Sequence, residues 1–246
     1  MLGKFAWVWR RTADPNRKTA SRVAAFALAF TISTAVLTGL LLKQQALRSA
    51  ILLDHFRLAR LFVAIGADPN GRDSFGETAL ADAAWGGVGD LAAVNELIAM
   101  GADVNEEQFG ALGGMLPSGT ALHVAASAGR VQVCKSLLEA GGDVNAKNQQ
   151  GVTPLLVGLS HGSIACVPTL LDHGADVNAA DNRGRSALML LMNFGPADPT
   201  VQNILHELLD KGADTNRRDS EGKSAEDWAK YYRHDQFIEQ LRSQLP

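Results

Sequence analysis

The sequence predicts an all-α solenoid of stacked helix-turn-helix pairs with hairpin fingers, preceded by one N-terminal transmembrane helix. Three observations predict it. The tract Gly-Ala-Asp-x-Asn stands at 66–70, 101–105, 174–178 and 212–216, with the variant Gly-Gly-Asp-Val-Asn at 141–145. The successive spacings are 35, 40, 33 and 38 residues, a near-fixed period that belongs to stacked supersecondary units. Residues 23–42, VAAFALAFTISTAVLTGLLL, are a run without a charge.

The N-terminal tail, residues 1–22, is basic. Residues 1–48 carry eight Lys and Arg against Asp14, a net of +7, so the remainder carries −10 of the chain's total of −3. An acidic repeat region argues against nucleic acid, which requires a basic face. Phe5, Trp7 and Trp9 beside those basic residues suit a cytoplasmic headgroup zone; an unstructured tail with incidental aromatics is the alternative.

Residues 23–42 come next. At 1.5 Å per residue a 20-residue helix spans roughly 30 Å, the thickness of the hydrocarbon core. Thr31, Ser33, Thr34 and Thr38 are its polar members, and a helix satisfies their hydroxyls on its own carbonyls. A cleaved signal has a shorter apolar stretch, about 7–15 residues, and Lys43-Gln44-Gln45 offers no small-x-small cleavage site. Six basic residues precede the run, whereas Lys43, Arg48, Arg57 and Arg60 follow it. That bias predicts a single pass through the inner (cell) membrane, with the N-terminus cytoplasmic and the rest of the chain periplasmic.

The repeats occupy residues 43–246, with bounds near 43–70, 71–105, 106–145, 146–178 and 179–216 and a C-terminal cap at 217–246. Residues 146–178 show the logic of one unit. Gly151 supplies a turn, and Thr153 caps a helix that opens at Pro154, where a missing N–H costs nothing. Gly162 breaks the chain before a second helix, and Gly174 closes that helix as a left-handed cap. The first pair of helices falls near 44–53 and 55–65, with almost no linker after Leu42, so the anchor is expected to run directly into the stack. The polar last unit suits a cap facing water.

The unit resembles the ankyrin repeat. That family's pattern is a Thr-Pro-Leu-His turn, an Ala-Ala pair, a Gly, a Leu-Leu pair and Gly-Ala-Asp-Val-Asn. Here Thr120-Ala121-Leu122-His123 precedes Ala125-Ala126 and Gly129, and Thr78-Ala79-Leu80 precedes Ala83-Ala84. Thr153-Pro154-Leu155-Leu156, Ser186-Ala187-Leu188-Met189 and Ser224-Ala225 are weaker copies, with Leu pairs at 137–138, 170–171 and 208–209. The resemblance covers about 44–245. It implies that His123 bonds neighbouring backbone, and that the protein binds another protein and has no catalytic role.

Several features depart from the pattern. Pro168 is expected inside a second helix, where it removes a hydrogen bond and bends the chain. Residues 106–119 hold about seven residues more than a standard finger. Their Phe109, Leu112, Met115 and Leu116 either form a partner-binding lobe or fold back over the stack. Residues 193–203 lengthen the connection between two helices. Cys134 and Cys166 fall on predicted second helices of adjacent repeats and are expected as buried free thiols. A bridge across the repeat interface is the alternative, and it needs Cα atoms within about 7 Å, closer than stacked helices usually stand.

Partners of such stacks meet the fingertips and the exposed side of the first helices. By register this implicates Phe75, Glu77, Trp85, Gln149, Gln150, His161, Arg183, Arg185, Phe194 and Tyr231, beside the four apolar residues of the first insertion. Arg183, Arg185, Arg217 and Arg218 make a small basic strip, expected to pair with Asp181, Asp219 and Glu221. There is no phosphate loop, no nucleophile elbow and no metal-ligand spacing among the six histidines, so no metal, cofactor or small-molecule substrate is expected. The resemblance extends to small membrane-anchored bacterial ankyrin proteins that accompany catalases, which implies a helper of a neighbouring periplasmic enzyme. An immunity protein against a periplasm-delivered toxin is the first alternative, and a translocated effector acting on a host protein is the second.

Overall fold

The computed structural model describes residues 40–73, 75–86, 90–108 and 118–243. Contacts divide the chain into two units, Met1–Ala67 and Asp68–Pro246.

Within the first unit, α1 (Leu40–Leu52) and α2 (Phe56–Ala64) pack as a hairpin. Leu47, Ala50 and Ile51 of α1 and Ala59 and Phe62 of α2 are buried. The turn between them places Asp54 at φ 57°, a left-handed conformation that Asp tolerates better than most residues. Lys43 Nζ donates to the Ile65 carbonyl at 2.8 Å, placing a cation on the orphan carbonyls at the end of α2. The predicted tail and most of the predicted span, 23–42, lie outside the described residues. Leu40, Leu41 and Leu42 are helical and continue into α1. Among the described residues no helix is long and apolar enough to cross a membrane.

The second unit holds the repeats. Its first helices are α3 (Ala79–Trp85), α5 (Ala121–Ser127), α7 (Pro154–Ser160), α9 (Ala187–Leu191) and α11 (Ala225–Tyr232). Its second helices are α4 (Asp90–Ala99), α6 (Val131–Glu139), α8 (Val167–Asp172), α10 (Pro199–Asp210) and α12 (Asp235–Ser243). Each first helix packs on the first helix of the next repeat, forming one layer; α4, α6 and α8 do the same in the other. First helices of five to eight residues are too short to persist alone. In the inner repeats they exist because almost every residue is buried: all seven of α5, and six of the seven in α7; the terminal α11 buries only Ala225 and Ala229.

The helix starts follow the sequence expectation. Thr78 accepts from Ala81 N–H at 3.2 Å, Thr153 from Leu156 N–H at 3.4 Å and Ser224 from Asp227 N–H at 3.3 Å. The helix ends follow it too. In the Gly-Ala-Asp-x-Asn tract Gly174 sits at φ +85°, and the next N–H, of Ala175, returns to the Leu170 carbonyl at 3.0 Å. That is a Schellman closure, and it requires a residue without a β-carbon penalty.

The rest of the tract joins neighbours. Asn105, Asn145 and Asn178 each accept on Oδ1 from the backbone N–H of the Asp in the following tract, at 2.7–2.8 Å. Each also donates from Nδ2 to that tract's Gly carbonyl, at 2.9–3.2 Å. Asp103, Asp143, Asp176 and Asp214 bind the N–H two residues on, so their repetition closes a turn. Two hydrogen bonds per repeat boundary give a concrete expectation. Asn178→Ala loses roughly 1–2 kcal/mol, and thermal unfolding drops by roughly 3–6 °C. Asn216→Ala, with no tract after it, stays within about 0.5 kcal/mol. Equal losses at both positions would contradict the ladder.

Two expectations are corrected. Pro168 does not break a helix, because a 3₁₀ turn, Ile164–Cys166, precedes α8 and puts Pro168 in the first helical turn, where its absent N–H has no intrahelical partner to lose. The long 193–203 segment is not all connection. Asp198 accepts from Thr200 N–H at 2.8 Å and caps α10, so Pro199 onward forms an extra turn of that helix.

Candidate functional site: a groove between fingers and first helices

The fingers are built by one device. A side-chain oxygen accepts the backbone N–H groups two and four residues ahead, which folds the tip back on itself. Asn148 takes Gln150 and Val152 N–H, Asp181 takes Arg183 and Arg185 N–H, and Asp219 takes Glu221 and Lys223 N–H, all at 2.9–3.0 Å. Asp73 does the same for Phe75 and Glu77. Adjacent fingers are tied together. Asn182 N–H donates to the Gln150 carbonyl at 3.0 Å, and Ser220 N–H donates to the Arg183 carbonyl at 2.8 Å.

Between these tips and the first helices lies a groove of about 490 Å³. The amides Gln149, Gln150 and Asn182 stand on one wall, with Ser160 and His161 at the end of α7 and Arg183 and Arg185 beyond them. A second depression, lined by Leu159, Met189, Leu190, Trp228 and Tyr232, shares Ser160 and Arg185 with the first. Polar and aromatic halves are therefore continuous. Arg185 is held in place, Nε and an Nη donating to Asp181 Oδ2 at 2.8 and 2.7 Å. Trp228 Nε1 donates to Asp219 Oδ2 at 2.9 Å, so the fourth finger clamps the indole. Tyr232 stacks on Trp228 with centroids 6.1 Å apart, Tyr231 sits edge-on to both, and Lys223 Nζ lies 5.4 Å from the indole centroid.

Five implicated residues, Gln149, Gln150, His161, Arg183 and Arg185, meet in this groove. Tyr231 is 70% exposed beside its aromatic end. Phe75 and Trp85 are exposed on the first finger and at the end of α3, away from the groove lining. Phe194 is half-buried in the turn after α9 and also outside the lining. Glu77 is corrected: it is 3% exposed, because the finger turn folds it under, its N–H bound by Asp73. Phe109, Leu112, Met115 and Leu116 lie outside the described residues. The insertion that carries them is closed at its base, where Gln108 and Gly119 exchange both backbone hydrogen bonds at 2.9 and 3.0 Å. The basic strip pairs as expected at Arg185, but Arg217 donates to the Asn178 carbonyl and Arg218 meets Asp227. Ser160, Asp181, Trp228 and Met189 were not picked out by register. Trp228 carried a signal, an aromatic in the otherwise polar last unit, next to Tyr231 and Tyr232.

His123 plays the backbone role the resemblance implied. It is 0% exposed; Nδ1 accepts from Thr120 N–H at 3.1 Å and Nε2 lies 3.0 Å from the Val152 carbonyl of the next finger. Those partners assign the neutral tautomer with hydrogen on Nε2. Burial pushes its pKa down to about 4, against the opposing pull of the Val152 and Ala146 backbone and the Asp143 carboxylate. Among the described residues no group of three or more His, Cys, Asp or Glu is placed to hold a metal ion.

A family model for ankyrin repeats in three copies matches residues 111–181, the stretch that holds the Asn148 finger with Gln149 and Gln150, and Ser160 and His161 of the groove. That match supports an ankyrin repeat protein, a class that is typically a non-enzymatic interaction module. No curated protein matches the chain.

Proposed function

We propose that this is a membrane-tethered protein-binding module whose groove, from Gln149 to Tyr232, holds a periplasmic protein partner, and that it serves a neighbouring enzyme such as a catalase. One observation carries the binding assignment. Gln149, Gln150, Asn182 and Arg183 present donors and acceptors on exposed fingertips, continuous with an aromatic cluster around Trp228. Rigid aromatics flanked by a polar rim are the composition of protein-binding surfaces. The tether reading is supported by the uncharged 20-residue run at 23–42 and by the basic excess before it. An alkaline phosphatase fused after Pro246 is active under this topology; inactivity beside a fluorescent cytoplasmic fusion would reverse it.

The binding claim is tested by crosslinking in intact cells and affinity capture through the C-terminus. The wild type retains one abundant protein partner, and a Gln149→Ala, Asn182→Ala, Tyr231→Ala triple variant loses at least 10-fold of it, the loss expected from two or three modest contacts of about 1 kcal/mol each. All three side chains are exposed, and the variant gives up one finger-to-finger bond, Asn182 Nδ2 to the Gln149 carbonyl at 3.2 Å, so its melting temperature is measured beside the capture. Equal capture by both would remove the groove from the account. Deletion of the gene lowers the partner enzyme's activity; a deletion harmless until an incoming toxin is present would replace the helper role with immunity.

A further inference from the structure

Cys134 lies on α6, and Cys166 closes the 3₁₀ turn that enters α8 in the next repeat. Both are 0% exposed, and their Sγ atoms stand 2.8 Å apart, within an ångström of a covalent sulfur–sulfur bond, roughly 2.05 Å. Both are free, buried thiols, as the sequence reading expected; what it did not expect is how closely they approach. Stacked helices alone would hold the thiols apart, but the tight 3₁₀ turn ahead of Pro168 carries Cys166 inward against α6, its Sγ also 3.8 Å from the Ala125 carbonyl.

We infer that Cys134 and Cys166 are a disulfide-forming pair that cross-links two adjacent repeats. The oxidant is a disulfide, either glutathione disulfide or a protein disulfide oxidant. One cysteine thiolate attacks it, giving a mixed disulfide and one released thiol; the second cysteine then displaces the other half. Two Sγ–H bonds break and one Sγ–Sγ bond forms. The two electrons reduce the oxidant's disulfide, and its two thiols carry away both protons. Burial dictates when this happens. An oxidant cannot reach 0%-exposed sulfurs, so the exchange takes place before the repeat interface closes. In the folded, reduced protein the neighbouring Cys166 thiol and burial push the Cys134 pKa up, so the thiolate that would start the exchange is scarce there.

The test uses the full chain in detergent, unfolded with reductant and then refolded with glutathione disulfide or with reductant alone. Iodoacetamide under denaturing conditions traps free thiols before trypsin digestion. Oxidative refolding is expected to yield peptide 131–135 joined to peptide 148–183. The cross-link closes a 32-residue separation, so the oxidised protein melts roughly 10 °C above the reduced one. Cys134→Ala shows neither the joined peptide nor a redox-dependent melting temperature, and it still folds, because a small apolar residue fits the site. Two separately alkylated peptides after oxidative refolding, or a glutathione adduct on each thiol, would overturn the inference.

Discussion

Between pH 7 and pH 4 the stack is expected to lose about 3 kcal/mol of stability through His123 alone. The folded-state pKa is about 4, against the ordinary 6.5. The unfolded chain therefore takes a proton first as pH falls. The contribution is fully present above about pH 6.5, declines from there to about pH 4, and is absent below. The cause is local. A proton on Nδ1 would face the Thr120 N–H, donor against donor, in a site with no exposure. Carboxylates elsewhere in the chain add their own acid dependence, so the informative quantity is a difference. His123→Gln keeps a donor and much of the volume but does not titrate. Its stability at pH 7 is lower, and its denaturation midpoint is flatter between pH 6.5 and 4 than that of the wild type. Parallel curves would show that His123 does not titrate as its surroundings dictate.

Gly119→Ala is expected to cost about 4 kcal/mol. Two effects add. Gly119 sits at φ +116°, where any β-carbon is strained by about 1–3 kcal/mol. That β-carbon would also lie 2.7 Å from His123 Cγ and 2.8 Å from Nδ1, so the ring must leave its bonds to Thr120 and Val152. The change in chemical-denaturation midpoint measures the sum, and the second effect has its own signature. Gly119→Ala combined with His123→Ala costs less than the two singly, because the ring is already displaced. Strict additivity would separate the glycine from the histidine. The same residue closes the 109–117 insertion through its bonds to Gln108, so one position holds the insertion base, the N-cap of α5 and the link to the next finger.

Much of the fold was legible because local chemistry repeats. The Gly of each tract and the Thr or Ser before each first helix make hydrogen bonds within five residues of themselves, and such bonds can be read from spacing. His123 was legible only through the resemblance, since its partner Val152 lies 29 residues away. What spacing could not show was how irregular segments resolve. Pro168 was read as a helix breaker because its place in the turn depends on the 3₁₀ start at Ile164. Residues 199–203 were read as a connection because Asp198 as a cap competes with the turn signals around Pro196. The approach of the two thiols follows from that same 3₁₀ turn. Register implicated Gln149, Gln150, His161, Arg183 and Arg185 one by one, and the fold brings them into one groove. At the aromatic end Tyr231 was implicated and Trp228 was not, because Trp228 is positioned by Asp219 from a finger that spacing alone did not connect to it.

The central claim is that a protein partner occupies this groove. A photo-crosslinking amino acid placed in turn at Gln149, Asn182, Asp172 and Asp210 tests it most directly in living cells. The first two positions are on the groove wall; the other two are exposed at the ends of the second helices α8 and α10. The account predicts the same crosslinked protein from Gln149 and Asn182 and none from Asp172 or Asp210. Adducts from Asp172 and Asp210 with none from the groove would contradict it.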